Sequence, residues 1–183
     1  MEITWILVII VGVLLLWLIL TYNKLIVAKN RVEEAWSDIE VQMKRRYDLI
    51  PNIVNTVKGY TKHEDSVFTK VTEARTAAMG AKTMKEHAQT ENMLNETLKS
   101  LFAVSENYPQ LQASGNFLQL QNELTDAEDK IQASRRFYNA NVRDYNTKLQ
   151  VFPTNLIAST FGFTSQEFFD APDVALETPH VQF

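Results

Sequence analysis

The stretch ITWILVIIVGVLLLWLILTYN, residues 3–23, carries no charged side chain and determines how the chain is organised. From Ile6 to Leu20 it is apolar throughout, apart from Gly12. An α-helix rises 1.5 Å per residue, so about 20 apolar residues cover the roughly 30 Å hydrocarbon layer of a bilayer. The stretch therefore predicts a transmembrane helix over residues 3–22.

Two other structures can contain an apolar run of this kind. A cleaved signal peptide begins with basic residues, has an apolar run of about 7–15 residues and ends in small residues before the cleavage site. Here the only charge before the run is Glu2, the run is longer, and large residues follow it. A buried core helix that is apolar on all sides needs a much larger protein around it. An uncleaved membrane anchor fits the segment better than either.

Basic residues follow the apolar stretch and none precedes it. Lys24, Lys29 and Arg31 lie just after its end. The positive-inside rule therefore predicts that residues 1–2 are a short extracytoplasmic N-terminus and that the bulk of the chain is cytoplasmic. The same three bases are candidates for contact with anionic lipid headgroups.

Downstream of the anchor, apolar residues recur every three or four positions, which is the period of an amphipathic helix. Pro51 lacks a backbone donor, so we expect it to kink the first helix or to start a new one. Gly80 ends the next apolar stripe, and a capping box from Thr83 to Glu86 predicts the start of another helix. The turn residues between positions 109 and 115 predict a loop.

The most regular helix is predicted over residues 117–149, where apolar residues keep a near-heptad spacing typical of a coiled coil. Pro153 and Gly162 should bracket a short helix, because proline favours the start of a helix and glycine its end. Several helices with short links predict an all-α protein: an N-terminal transmembrane helix followed by an antiparallel four-helix bundle of long helices. We assign residues 23–163 to this bundle domain and residues 164–183 to an acidic C-terminal tail.

Composition excludes several functions. The formal net charge is −4, and the segment from Gln150 onward has four acids and no base, which leaves a neutral body that is unsuited to binding nucleic acid. The absence of cysteine excludes disulfides, thiolate metal sites and a cysteine nucleophile. His63-Glu64 lacks a second histidine four residues after the first, as a zinc protease helix requires. We therefore predict no enzyme, no catalytic, cofactor-binding or metal-binding residue, no cofactor and no small-molecule substrate.

Two polar runs stand out from the helical pattern, and Arg46 in the first run falls on an apolar stripe. The first run contains Arg45, Arg46, Asp48 and Asn52. The second run contains Arg135, Arg136, Tyr138, Asn139, Tyr145 and Asn146. A buried polar group without a partner costs about 1–3 kcal/mol. These residues therefore form either a network that fixes helix register, with Arg46 paired to an acid such as Glu128, or a recognition surface for a partner.

Short motifs follow one another in a fixed order along essentially the whole chain. They are Tyr22-Asn23-Lys24-Leu25, Ala35-Trp36-Ser37, the segment from Arg45 to Asn52, Val57-Lys58-Gly59-Tyr60, Ala74-Arg75, Asn122-Glu123-Leu124, the segment from Arg136 to Asn139, Val142, Tyr145-Asn146, Phe152-Pro153 and Phe161-Gly162-Phe163. In identity and order these motifs closely resemble the bacterial LemA family. The resemblance implies a four-helix bundle behind an N-terminal anchor, with the short N-terminus outside the cytoplasmic membrane.

The resemblance brings no reaction, cofactor or catalytic residue. Relatives that shape or organise internal bacterial membranes imply, by analogy, a scaffolding role. We therefore expect a non-enzymatic, self-associating scaffold or adaptor at the bacterial cytoplasmic membrane, whose partners are membrane lipid and further copies of itself. The alternative is a protein that shapes membranes by acting on anionic lipid, and the third hypothesis is an enzyme of unknown type.

Overall fold

The structure, a computed structural model, describes residues 1–61 and 63–169. Within these ranges the helices are α1 (Glu2–Lys58), α2 (Asp65–Gly80), α3 (Met84–Ser105), α4 (Pro109–Gln112), α5 (Gly115–Gln150) and α6 (Thr154–Thr160). No strand occurs in the described part, and the predicted all-α class is confirmed. Of the predicted acidic tail, Asp170, Asp173 and Glu177 lie outside the described residues.

The longest helix, α1, begins in the apolar N-terminal stretch and continues without a break to Lys58. From Ile3 it has the length and composition needed to cross a membrane, and no residue of its most apolar window is buried in the protein. Among the described helices it is the one that meets this criterion. A helix surface that is apolar on all sides and uncovered is the surface a lipid-facing span presents.

Of the two outcomes expected at Pro51, a kink or a new helix, the new helix is wrong, because α1 continues through the proline. Proline lacks the N–H that would bond the carbonyl of the fourth residue before it, here Tyr47. That carbonyl instead accepts a hydrogen bond of 2.7 Å from Nε of Arg75 on α2. A side chain from a neighbouring helix thus replaces the missing backbone donor. Helix α1 ends at Lys58 instead, and α2 begins at Asp65.

The chain separates into two compact units, which we describe one at a time. The anchor unit comprises Met1–Ser37 and Arg136–Glu167, and the bundle unit comprises, among the described residues, Asp38–Arg135 with Phe168 and Phe169. Helices α1 and α5 contribute residues to both units.

In the bundle unit, α1 and α2 run antiparallel, since Tyr47 of α1 contacts Arg75 of α2 and the later Lys58 contacts the earlier Phe68. The link from α2 to α3 is only three residues long, which favours an antiparallel pair. Helices α3 and α5 meet through the rings of Phe102 and Phe117, whose centroids are 6.4 Å apart. The predicted four-helix packing is therefore present in this unit.

In the anchor unit, the first part of α1 packs antiparallel to the second part of α5. The ring centroids of Trp36 and Tyr138 are 5.7 Å apart, and the rings meet edge to face. Helix α6 turns back onto α1, where Leu25, Ile157 and Ala158 form a buried cluster. The partly buried side chains that pack against this cluster are Leu18, Leu149 and Phe163.

The helix ends show which turn signals were predictive. The capping box of Thr83 and Glu86 is present in both directions, as predicted. The expected loop from Pro109 contains one helical turn, α4, with the proline at its first position, so this loop prediction is wrong in part. Helix α6 ends as predicted: Gly162 has φ +71°, and Phe163 N–H bonds the carbonyl of Ala158 in a Schellman arrangement.

Candidate functional site

The most unusual feature of the bundle unit is Arg46, a charged side chain that is 1% exposed at the centre of α1's apolar stripe. Its two terminal nitrogens form ion pairs with Glu91 of α3 and Glu128 of α5. The Nη1 atom also donates to Oδ1 of Asn95, at 3.0 Å. The sequence-based pairing of Arg46 with Glu128 is therefore present. We call these four residues and Tyr47 the Arg46 network.

Tyr47 completes the network from the next position on α1. Its hydroxyl donates to Oε1 of Glu91, while Oε2 of the same carboxylate accepts from Arg46. Burial, followed by the hydrogen bond to Glu91, raises the pKa of Tyr47 well above its usual 10.0. At neutral pH the tyrosine therefore keeps its proton, and a guanidinium has donors only. Both groups thus act as permanent donors, which suits the joining of three helices.

A groove of about 490 Å³ opens beside the network, between α3 and α5. Its apolar lining includes Leu98, Phe102 and Leu124, and Arg46 and Glu128 also contribute to it. Asn95 and Glu128 are the half-buried members of the network and both line this groove, so the network reaches solvent there. An apolar strip flanked by polar side chains can accept one face of an amphipathic helix.

The rest of the first polar run lies at the surface. Arg45 pairs with Oδ2 of Asp126 at 2.7 Å, and Lys130 binds the same oxygen. Hydrogen bonds from Lys130 and Arg45 hold the pKa of Asp126 below its usual value. Asp48 and Asn52 are exposed. The run therefore divides into one buried residue and three residues that solvent can reach.

The second polar run is centred on two buried tyrosines in the anchor unit, Tyr138 and Tyr145, which lie one heptad apart on α5. Tyr138 donates its hydroxyl to the carbonyl of Glu167 at 2.9 Å. Asn146 binds Gln166 through two hydrogen bonds of 2.9 Å, one to its carbonyl and one from its N–H. Burial raises the pKa of both tyrosines above 10.0. These side chains hold the segment after α6 against α5.

The remaining members of this run have different surroundings. Within the bundle unit, Arg135 lies over the ring of Phe169, 4.6 Å from its centroid, a cation–π contact. Asn139 is half-buried and Arg136 is exposed. Arg136 is thus the residue of this run that is open to a partner. The network and surface roles assigned to both runs stay predictions.

The three predicted lipid-flank residues lie on α1 directly after the apolar stretch. Lys24 and Arg31 are exposed, and Lys29 is 3.6 Å from Glu33 in an i,i+4 ion pair. Exposed pairs of this kind contribute little to stability. The side chains remain accessible to lipid headgroups.

Sequence reasoning missed Glu91 and Asn95. Glu91 lies three and seven residues before Leu94 and Leu98, on the same helical face, so an acid on an apolar stripe was the available signal. The partners of Tyr138 and Asn146 had no such signal, because they are backbone groups. Among residues 1–61 and 63–169 no group of three or more His, Cys, Asp or Glu is arranged to hold a metal ion.

The fold and its first helix define an all-α protein with an N-terminal helix of membrane-spanning length. A family model described as the LemA family matches residues 35–183. The chain therefore belongs to the LemA family.

Curated relatives are similar over most of the chain. Protein LemA of Metamycoplasma hominis is 27% identical, with 83% of this chain and 70% of that protein covered. Magnetosome protein MamQ 2 of Paramagnetospirillum magneticum is 25% identical, and MamQ of Magnetospirillum gryphiswaldense 23%, each over 90% of this chain and 71% of the relative. None of these names refers to an enzymatic activity. Together with the apolar first helix, the relatives indicate a membrane-associated protein.

Proposed function

We propose that this protein is a non-enzymatic, self-associating scaffold of the bacterial cytoplasmic membrane. The span at residues 3–22 holds it there, and the helical domain, residues 23–163, projects into the cytoplasm. The observation that carries the proposal is α1, one helix from the apolar segment to Lys58. A flexible linker lets a tethered domain explore a volume, whereas a continuous helix acts as a stiff spacer. A stiff attachment suits a protein that positions partners at a membrane.

The division of the polar residues supports the same proposal. Arg46 and Glu91 are buried and bind one another, so their energy goes into joining helices. Asp48, Asn52 and Arg136 are exposed and can contact a partner. Recognition is thus assigned to the surface and register to the core.

The orientation is part of the proposal. Lys24, Lys29 and Arg31 follow the span, which supports a cytoplasmic helical domain under the positive-inside rule. Because the chain has no cysteine, a single Asp48→Cys substitution gives a unique probe. A membrane-impermeant maleimide should label it in disrupted cells and leave it unlabelled in intact cells. Labelling in intact cells would show that the helical domain lies outside the cytoplasm and would contradict the proposed orientation.

Self-association is tested by photo-cross-linking in living cells that express two differently tagged copies of the full chain. A photoreactive residue is placed at position 48, 52 or 136, and at the exposed Glu73 of α2 as a matched control. We expect a product carrying both tags from at least one of the three positions and none from the control. Absence of any such product, together with a detergent-corrected mass of one protomer, would exclude the scaffold as proposed.

A second candidate function is membrane shaping through anionic lipid. The exposed bases Lys24 and Arg31 next to the span favour it, as does the similarity to magnetosome proteins. Vesicles rich in phosphatidylglycerol should then become tubular or smaller when the full-length protein is reconstituted at high density. Vesicles whose shape is unchanged under electron microscopy would count against this function.

A further inference from the structure

Large apolar side chains are exposed where α5 turns into α6. Phe152 is 78% exposed, Leu156 58%, Phe161 50% and Val151 46%, and all four lie close together in the sequence. We call these four residues the apolar corner. Singly exposed apolar residues are ordinary, but a cluster that includes two phenylalanines indicates a contact surface.

The apolar corner is attached to the end of the predicted span. The ring of Tyr22 lies 5.0 Å from that of Phe161 and 5.7 Å from that of Phe163, both edge to face. Leu18 packs against the cluster that contains Ile157 of α6. Leu18 and Tyr22 are among the last residues of the apolar stretch, so α6 lies beside the end of the predicted span, where hydrocarbon would give way to headgroups.

Basic residues lie next to the leucines that pack beneath α6. Lys24 precedes Leu25, which belongs to the buried cluster, and Lys148 precedes Leu149, which packs against that cluster. Both lysines are exposed. Lysines that flank apolar side chains at a membrane boundary bind anionic headgroups while the apolar groups enter the acyl region.

We propose that the apolar corner inserts into the interfacial layer of the same bilayer that α1 crosses, giving the protein a second membrane contact beside its span. Phe152 and Leu156 enter the boundary between headgroups and acyl chains, and Tyr22 and Phe161 form an aromatic layer next to them. The contact does not depend on self-association. It fixes the C-terminal end of α5 and helix α6 at the membrane surface, so that the anchor unit is attached to the bilayer both by its span and by the apolar corner.

The test uses the full-length protein in vesicles of phosphatidylethanolamine and phosphatidylglycerol. The chain has no cysteine, so Phe152→Cys and Leu156→Cys each give one site for a nitroxide label. Phe137→Cys is the matched control, because Phe137 is 57% exposed on the same unit. It lies about 20 Å before the end of α5, at 1.5 Å per residue. Collision rates with oxygen, which concentrates in lipid, and with a water-soluble nickel chelate report the depth of each label.

We expect labels at 152 and 156 to have an oxygen-to-nickel collision ratio several-fold higher than the label at 137. Leu156 provides an independent reading if the label at 152 alters the turn, and circular dichroism checks that each variant is helical. Ratios at 152 and 156 equal to that at 137 would overturn the proposal. The proposal would also be overturned if labels at position 152 showed dipolar broadening and neither oxygen nor the nickel chelate reached them. That result would mean that a second copy of the protein covers the apolar corner.

Discussion

The two units use the same pair of helices, α1 and α5, but stabilise them with different chemistry. In the bundle unit the side chains of Arg46, Glu91, Glu128 and Tyr47 bind one another between the helices. In the anchor unit the corresponding side chains between α1 and α5 are those of Trp36, Tyr138 and Tyr145, and the hydroxyl of Tyr138 binds a backbone carbonyl of a later segment.

The difference shows what each kind of core specifies. Because a buried charge accepts few partners, we propose that the Arg46 network fixes which residues of α1, α3 and α5 lie opposite one another. Apolar and aromatic packing tolerates more arrangements and gains from burial alone. On this proposal charge specifies the helix register of the bundle unit, whereas the anchor unit depends on apolar area and on hydrogen bonds to the backbone of Gln166 and Glu167.

The largest expected effect is that of Arg46→Met, which leaves the buried carboxylate of Glu91 without its counter-charge. Removing one partner of a buried ion pair destabilises a protein by about 3–5 kcal/mol. The free energy of unfolding, measured by urea titration of the full chain in detergent, should fall by this amount. Replacing Glu91 and Glu128 with Gln in the same chain should restore part of the loss. A change in unfolding free energy below about 1 kcal/mol would show that Arg46 contributes no more to stability than an exposed ion pair does.

Arg75→Ala should come next, because it removes the donor that satisfies the Tyr47 carbonyl beside Pro51. An unsatisfied buried acceptor costs about 1–3 kcal/mol. In a chain that also carries Pro51→Ala, the residue at position 51 supplies its own N–H to that carbonyl. The cost of Arg75→Ala should therefore be clearly smaller in this background. Equal costs in the two backgrounds would contradict the replacement of the backbone donor by Arg75.

In the anchor unit, Asn146→Ala should act mainly on the segment after α6. It removes two hydrogen bonds to Gln166, each contributing about 1 kcal/mol. The Gln166 amide should exchange its hydrogen faster, while amides of α3 keep their protection, as measured by hydrogen–deuterium exchange. Unchanged exchange at Gln166 would show that other contacts hold this segment.

A smaller effect should follow from the raised pKa of Tyr47, whose usual value is 10.0. Because the folded state holds this proton more tightly than the unfolded state, stability is complete below pH 10 and falls as pH rises further. At pH 11 the loss from this residue is about 1.4 kcal/mol. Tyr47→Phe should reduce the slope of unfolding free energy against pH above 10. The same slope in both proteins would assign the dependence to other groups.

The smallest effect is expected for Arg45→Met, the neighbour of Arg46 on the same helix. Its pair with Asp126 is exposed, and Lys130 continues to bind that carboxylate. Exposed pairs contribute little because water and salt screen them. The unfolding free energy should stay within error of the parent protein. A loss of unfolding free energy close to that of Arg46→Met would show that the exposed and the buried arginine contribute equally to stability.

The helical class, the capping box and the end of α6 could be predicted because each depends on local sequence. The stripe of α5 was predictive too: Phe117, Leu124 and Ile131 are buried, one heptad apart. Pro51 misled because the outcome depends on Arg75, 24 positions later, which supplies the missing donor. No local pattern contains a contact of that kind.

The candidate site was predictable to the same extent. An arginine on an apolar stripe must find an acid, so Arg46 and Glu128 could be paired from their positions alone. Glu91 could have been found by the same reasoning on α3. The apolar corner could not, since Phe152 and Leu156 become a surface only when α6 folds back onto α1.

We propose that the Arg46 network specifies the bundle, while exposed residues contact other copies of the protein. The most direct test is photo-cross-linking from position 136 in a chain that carries Arg46→Met, Glu91→Leu and Glu128→Met. These substitutions replace the charged side chains with apolar groups of similar size. Such replacements preserve folded structure in other buried ion clusters. We expect this variant to be helical by circular dichroism, with undiminished cross-linking between copies. A variant that remains folded but loses the cross-link would show that the network itself is the recognition site.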